Sequence, residues 1–176
     1  QSREALLALG GMDAAALPPP AERRSVFMDI YAAFARQHMR LYGSTQEQFA
    51  AVAAKNHTHS VHNERAQYRR PYSVEDVLAD RSIVWPLTLP MCAPVSDGAA
   101  AAVLCTEAGL LRLGAKARAV ELRACVLGTS VDREPDDLDR HIGRITALKA
   151  FEAAALGPED IDLAEVHDAT AVGEVI

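Results

Sequence analysis

The chain has 176 residues, of which 49% are hydrophobic and 24% are charged, a balance typical of a globular protein with a substantial core. Its net charge of −6 provides no overall basic field, so nucleic acid is not an expected partner. No apolar run approaches the roughly 20 residues that a membrane-spanning helix needs, so we expect no membrane insertion.

Three cysteines lie in apolar stretches without close spacing, namely Cys92, Cys105 and Cys125. This pattern predicts buried thiols in a reducing compartment, with neither a disulfide framework nor a zinc site. We therefore expect a cytoplasmic protein.

The N-terminal part predicts a stiff connector followed by a long helix. Residues 4–9 suit a buried strand, although a helix end fits as well, and the prolines at 18–20 suit an extended connector. Ser25 is predicted to cap a helix over residues 26–41, which Gly43 ends.

Two further helices are predicted from their first residues. Thr45 and Gln48 fit a capping box, in which each side chain bonds the backbone of the other residue. Ser73 is predicted to cap a short helix over residues 74–78.

The second half of the chain predicts strands that alternate with helices. Thr106 is expected to cap one helix, a second covers residues 142–156, and residues 119–127 and 163–166 have strand character. Residues from about 12 to 90 are predicted to be mainly helical. Together with the alternating strands and helices, this predicts an α/β fold that carries a helical insertion.

Three histidines, His57, His59 and His62, follow the second predicted helix. Their spacing could present two imidazoles on one face, as a metal site requires. Because no cysteine or carboxylate joins them closely, a solvated helix end is the preferred interpretation and no metal is predicted.

A small basic patch follows at Arg65, Arg69 and Arg70, with the aromatic ring of Tyr68 between them. Such a patch can bind a phosphate through charge-assisted hydrogen bonds. The alternative is that it is ordinary exposed charge.

His167 and Asp168 stand where the predicted strand over residues 163–166 ends. In an α/β sheet, ligands bind at the carboxyl ends of strands, and a histidine there can orient a water, donate to an oxyanion or move a proton. The alternative is structural: Asp168 caps a helix that begins near Ala169, and His167 is a polar residue at a bend.

Both ends of the chain suggest an internal piece of a longer protein. The sequence starts at Gln1 without methionine, and residues 171–176 look like the beginning of a helix. We therefore expect catalytic groups outside this chain.

Four stretches resemble the thiolase superfamily, and within it the sterol-carrier-protein-type (SCP-x-like) thiolases, often labelled lipid-transfer proteins. Residues 25–31 and 55–57 (Lys-Asn-His) are similar to the helical loop domain of that branch. Residues 91–100, with Ser-Asp-Gly-Ala-Ala, are similar to the segment that re-enters the core. Residues 160–168, ending in Glu-Val-His-Asp, are similar to the stretch that leads to the family's His-Asp-Cys-Phe motif.

The resemblance implies part of the layered αβαβα thiolase fold. The implied spans are residues 1–11 for the end of the N-terminal half, 12–90 for the helical loop domain, 91–116 for the return to the N-terminal half, and 117–176 for the start of the C-terminal half.

The resemblance also implies functional roles. His167 takes the place of an asparagine that, in other thiolases, holds a water of the oxyanion hole. Coenzyme A would bind beneath the loop domain, where Arg65, Arg69 and Arg70 are the densest cations for its phosphates. Related subunits pair as homodimers, and an acyl-CoA would be the substrate.

Two departures from the family pattern leave the reaction open. The Cys and Phe that follow His-Asp in the family are Ala169 and Thr170 here. The nucleophilic cysteine belongs upstream of Gln1 and the Gly-His-Pro loop downstream of Ile176. Three functions remain: a thiolase-type acyltransferase, a retro-aldolase on β-hydroxyacyl-CoA side chains of steroids with a small OB-fold partner, and a non-catalytic binding or assembly protein.

Overall fold

The computed structural model describes residues 25–114, 118–129, 131–133 and 137–176. The predicted strand over residues 4–9 and the connector at 18–20 lie outside the described residues. The described part forms two compact units, one made of residues 25–97 together with 165–176, and the other made of residues within 98–164.

The first unit contains three α-helices, one antiparallel pair of short strands and two 3₁₀ turns. In chain order these are α1 (Val26–Tyr42), α2 (Gln46–Ser60), α3 (Val74–Ala79), β1 (Ser82–Val84), β2 (Leu87–Thr88), a 3₁₀ turn over Leu89–Met91 and a second over Ala171–Glu174.

The predicted helix boundaries in this unit are confirmed. The Ser25 hydroxyl accepts a hydrogen bond from the Phe27 amide, and Gly43 ends α1 at a φ of 70°, a left-handed conformation that glycine adopts without strain. Thr45 and Gln48 form the expected capping box at the start of α2. Ser73 caps α3 in the same way.

The core of the first unit is built from α1, α2, α3, β2 and both 3₁₀ turns. Its largest fully buried apolar side chains are Phe49, Leu87, Met91, Val77 and Val172. Alanines of α1 and α2 belong to this core, and both helices contact the final 3₁₀ turn over Ala171–Glu174. Because Val172 belongs to this core, the segment just after His167 packs against the helices of the first unit.

Among its described residues, the second unit contains two α-helices and long stretches without regular secondary structure. Its elements are α4 (Glu107–Leu113), α5 (Ile142–Ala154) and two 3₁₀ turns, over Leu138–Arg140 and Pro158–Asp160. The cap that Thr106 was predicted to provide is confirmed, since its hydroxyl accepts from the Gly109 amide.

A segment without regular secondary structure runs alongside α5 in the second unit. The Arg123 guanidinium donates to the Ala154 carbonyl at 3.2 Å, at the end of the helix. Near its start, a methyl group at Gly128 would lie only 2.5 Å from the Thr146 hydroxyl, so glycine permits this close approach.

The predicted strands over residues 119–127 and 163–166 are wrong for this structure, because neither forms a ladder within the described residues. A strand needs a neighbour for its backbone N–H and C=O groups, and here the residues of both segments are largely exposed. The described residues are therefore mostly helical with one small sheet, and the α/β alternation is not formed among them.

Among the helices of the described residues, none has both the length and the apolar character that crossing a membrane would require.

Candidate functional site

A pocket in the first unit brings together three of the stretches that resemble thiolases. Its lining includes Asn56 and His57 from the end of α2, Met91 and Cys92 from the segment after β2, and Asp168. These residues come from positions 55–57, 91–100 and 160–168 of the sequence, which are far apart along the chain. The fold of the first unit therefore concentrates the motif residues at one place.

Two backbone contacts hold the His167–Asp168 segment against this pocket. The Ala93 amide donates to the Ala169 carbonyl at 3.0 Å, and Cys92 forms an antiparallel bridge with Thr170. Because Thr170 is extended, the helix predicted to begin near Ala169 starts two residues later, as a 3₁₀ turn over Ala171–Glu174.

His167 itself is exposed in this chain. Residues 163–166 before it are exposed and have no regular secondary structure, so no sheet among the described residues covers its ring. Asp168 is half-buried, lines the pocket and accepts a hydrogen bond from a side chain of α2, so it does not cap a helix.

Asn56 connects α2 to the segment that follows His167. Its amide nitrogen Nδ2 donates to Asp168 Oδ2 at 3.1 Å and to Glu174 Oε2 at 2.9 Å. The neighbouring Lys55 ammonium pairs with the other oxygen of Glu174. Two adjacent residues of α2 therefore hold both carboxylates.

Partial burial raises the pKa of Glu174, but hydrogen bonds from Lys55 and Asn56 and the charges of Lys55 and His59 outweigh it, and the net pKa is lowered. Because the pKa of Glu174 is lower in the folded state than in the unfolded state, its contacts with Lys55 and Asn56 stabilise the fold at neutral pH. The contribution is lost as the pH falls below the unfolded-state value and through the folded-state pKa.

His57 is not a solvated residue at a helix end. Its Nε2 lies 3.0 Å from the Pro90 carbonyl, which can only accept, so Nε2 carries the proton. Its ring centroid lies 4.6 Å from that of Tyr72 and 6.0 Å from that of Tyr68. Within the described ranges, no three His, Cys, Asp or Glu side chains are grouped to hold a metal ion.

The three arginines of the basic patch are all exposed. The Arg70 guanidinium lies 4.4 Å from the centroid of the Tyr72 ring, a cation–π geometry. Arg70 is thus oriented by an aromatic residue that also contacts His57, whereas Arg65 and Arg69 are exposed without such a ring contact among the described residues.

The cysteines only partly follow the prediction of buried thiols. Cys105 and Cys125 are exposed, and this part of the prediction is wrong. Cys92 lines the pocket and is partly buried, and its burial raises the pKa of the thiol to about 11. Since the thiolate is the nucleophilic form, Cys92 has the wrong environment for a catalytic nucleophile.

We expect Cys92 to resist alkylation at pH 8, because with a pKa of about 11 only roughly one thiol in a thousand is ionised. Labelling with iodoacetamide, followed by peptide mapping, should find Cys92 at least about tenfold slower in the native protein than in urea. Equal rates in both conditions would contradict the buried environment.

Several residues of this site were not among the predicted functional residues, namely Asn56, Lys55, Tyr72 and Glu174. Asn56 and Lys55 belong to the Lys-Asn-His stretch that carried the resemblance. The motif therefore indicated this part of the site, but not the contacts of its side chains with Asp168 and Glu174. No local signal connects Glu174 to α2, because its partner Asn56 lies 118 positions earlier.

No family model matches the chain. Comparison with individual known proteins nevertheless finds several relatives whose names agree with one another. The chain is 37% identical over 147 residues to sterol carrier protein 2 of Bos taurus, an alignment that covers 80% of this chain and 27% of that protein. It is 36% identical over 157 residues to the acetyl-CoA acetyltransferase of Methanothermobacter thermautotrophicus, covering 89% of this chain and 41% of the relative. It is 33% identical over 154 residues to the benzoylsuccinyl-CoA thiolase subunit BbsB of Thauera aromatica, covering 86% and 40%.

The chain thus spans between about a quarter and two fifths of the length of these curated relatives. The alignments cover most of the chain, including residues of both compact units, and all three relatives fit the resemblance predicted from the sequence. That prediction is confirmed as homology: the chain is homologous to a stretch of sterol carrier protein 2 and to a stretch of the acetyl-CoA acetyltransferase and thiolase subunit.

Proposed function

We propose that the protein carrying this chain is a thiolase-type acyltransferase that cleaves or forms a carbon–carbon bond next to a coenzyme A thioester, in lipid or steroid metabolism. The observation that carries the proposal is the pocket in which the three family-like stretches meet, with Asp168 in its lining and His167 directly before it. The homologous acetyl-CoA acetyltransferase supports the substrate class. The domain spans inferred from the resemblance, with a loop domain over residues 12–90, belong to the same proposal.

In this proposal, His167 supplies a donor to the oxyanion or enolate that forms on the thioester oxygen. A preorganised donor of this kind contributes on the order of 3 kcal/mol to transition-state stabilisation. Asp168 is held by Asn56 and acts on the orientation of the segment, so it is not the proton-transfer base.

A retro-aldolase acting on β-hydroxyacyl-CoA, with a small OB-fold partner subunit, is the second candidate. The observation that favours it is the replacement of the family's Cys and Phe by Ala169 and Thr170. The Thr170 side chain is 1% exposed, so it packs inside the first unit and offers no group to a substrate.

The two reactions are distinguished by their need for free coenzyme A. The full-length protein is incubated with a 3-oxoacyl-CoA plus coenzyme A, and separately with a 3-hydroxyacyl-CoA alone, and the products are separated by mass spectrometry. Two shorter acyl-CoA products from the first mixture support the thiolase. A free carbonyl compound and one shorter acyl-CoA from the second support the aldolase. If the protein binds acyl-CoA but gives no product in either mixture, the result supports the third function, a non-catalytic binding protein.

We expect the basic patch to contact the nucleotide end of coenzyme A. An Arg69→Ala/Arg70→Ala double variant should bind acyl-CoA about tenfold more weakly in calorimetry, because charge-assisted hydrogen bonds to phosphate are lost. Binding of the matching acyl-pantetheine, which lacks the nucleotide phosphates, should be unchanged. Arg40→Ala, which removes an exposed arginine at the end of α1, is the control. Unchanged acyl-CoA affinity in the double variant would refute the contact.

We also propose a cytoplasmic homodimer. The run of small and apolar side chains over residues 99–103 is exposed in this chain and suits an interface between two copies. Light scattering of the full-length protein at micromolar concentration should give twice the subunit mass. A purely monomeric sample would contradict the dimer.

A further inference from the structure

We propose that Asn56 is a positioning residue for His167, which it fixes through the two carboxylates that follow that histidine. The inference deepens the proposed function, on which its catalytic consequence rests.

Asn56 donates two hydrogen bonds from its Nδ2 group. An amide nitrogen carries two hydrogens, and the two contacts at 3.1 Å and 2.9 Å direct one to Asp168 and the other to Glu174. Both acceptors are carboxylates, and hydrogen bonds to a charged partner are stronger than those between neutral groups. The amide therefore bridges the beginning and the end of the 168–174 segment.

Lys55 restricts this bridge further. Its ammonium pairs with Oε1 of Glu174 while Asn56 donates to Oε2, so both oxygens of one carboxylate are held by consecutive residues of α2. Glu174 consequently cannot rotate away without breaking both contacts.

The segment between the two carboxylates transmits this constraint to His167. It folds as a tight turn, in which a methyl group added at Gly173 would lie 3.3 Å from the Asp168 Cα atom and 3.5 Å from the His167 carbonyl. The Gly173 amide donates to the Thr170 carbonyl at 2.8 Å. The backbone on which His167 stands is therefore packed against the turn that Asn56 holds closed.

Residue chemistry at position 56 is correspondingly restricted. An aspartate would place a third carboxylate against Asp168 and Glu174, and like charges at this distance repel. A leucine has nearly the same shape but donates nothing. Asn56→Leu is therefore the variant that removes the hydrogen bonds with little change in volume.

A matched control is available at the other end of the same helix. Gln46 is also a half-buried amide of α2 and donates to the Pro86 carbonyl at 2.7 Å, outside the pocket. Gln46→Leu removes a comparable tertiary hydrogen bond without touching the His167 segment. A purely structural role predicts similar effects for the two variants.

The experiment uses the full-length protein with labelled histidine side chains, in which the His167 signal is identified by its loss in His167→Ala. In Asn56→Leu, the ring signals of His167 should shift or broaden, and kcat should fall about 10–100-fold with KM nearly unchanged. In Gln46→Leu, the His167 signals should stay in place and kcat should remain within about twofold. Glu174→Gln, which removes the ion pair with Lys55 but keeps an acceptor for Asn56, should give an intermediate change.

The two readouts separate this inference from the proposed function. Unchanged His167 signals in Asn56→Leu would overturn the positioning role, whether or not the protein is a thiolase. Equal losses of kcat in Asn56→Leu and Gln46→Leu would overturn it as well. If the wild-type protein has no thiolytic activity but the signals move only in Asn56→Leu, the positioning role stands and the proposed reaction fails.

Discussion

Replacing His167 with alanine is expected to lower turnover by about 10²–10³-fold while the protein remains folded. His167 directly precedes the segment that Ala93 and Cys92 anchor, and its side chain is exposed, so its loss removes a donor to the thioester oxygen without opening the core. His167→Asn should retain part of the activity, because an amide can still donate to the same oxygen or to a water. Steady-state kcat and thermal unfolding, measured on the same preparations, test both expectations.

His62→Ala is the matched control, since His62 is another exposed histidine of the first unit and is not part of the pocket lining. Its turnover should equal that of the wild type. Wild-type turnover in His167→Ala would reject the proposed role, and a large loss of thermal stability in that variant would show that the residue acts through folding.

Helix boundaries could be predicted from the sequence because the interactions that fix them are local. Ser25 bonds an amide two positions away, and Thr45 bonds an amide three positions away. Gly43 ends α1 through its own backbone conformation. Each signal is contained within one turn of chain, so it can be read without knowledge of the tertiary fold.

Strands could not be predicted with the same success because pairing is not local. Residues 119–127 have the apolar character of a strand, yet Val120 and Leu127 are 93% and 96% exposed here. Strand propensity mostly reflects packing against neighbouring strands, and the described residues provide none for this segment. Apolar character also misled the prediction that Cys105 and Cys125 are buried.

The candidate site was located by motif, but its internal contacts were not. Residue type and the family resemblance indicated His167 and Asp168, and the pocket brings Asp168 together with the Lys-Asn-His stretch. The hydrogen bond from Asn56 to Asp168 joins residues 112 positions apart, a separation at which the sequence contains no spacing rule. Such contacts depend on how the core brings α2 and the final turn together.

Phe49 is the largest fully buried side chain of that core. It lies in α2, is fully buried, and belongs to a cluster with Val77, Leu87 and Met91 that also includes the turn after His167. Phe49→Ala should lower the free energy of unfolding by about 3–5 kcal/mol, because the lost burial is added to the cost of a cavity. Urea denaturation of the purified protein measures this loss.

The matched control is Phe27→Ala, since Phe27 is a phenylalanine of α1 that is 63% exposed. Its removal should cost less than about 1 kcal/mol, because little apolar surface is returned to water. A loss below about 1 kcal/mol for Phe49→Ala would mean that α2 is not anchored by this ring. In that case, the side-chain contacts of Lys55 and Asn56 and the backbone contacts of Cys92 and Ala93 would have to hold the His167 segment in place.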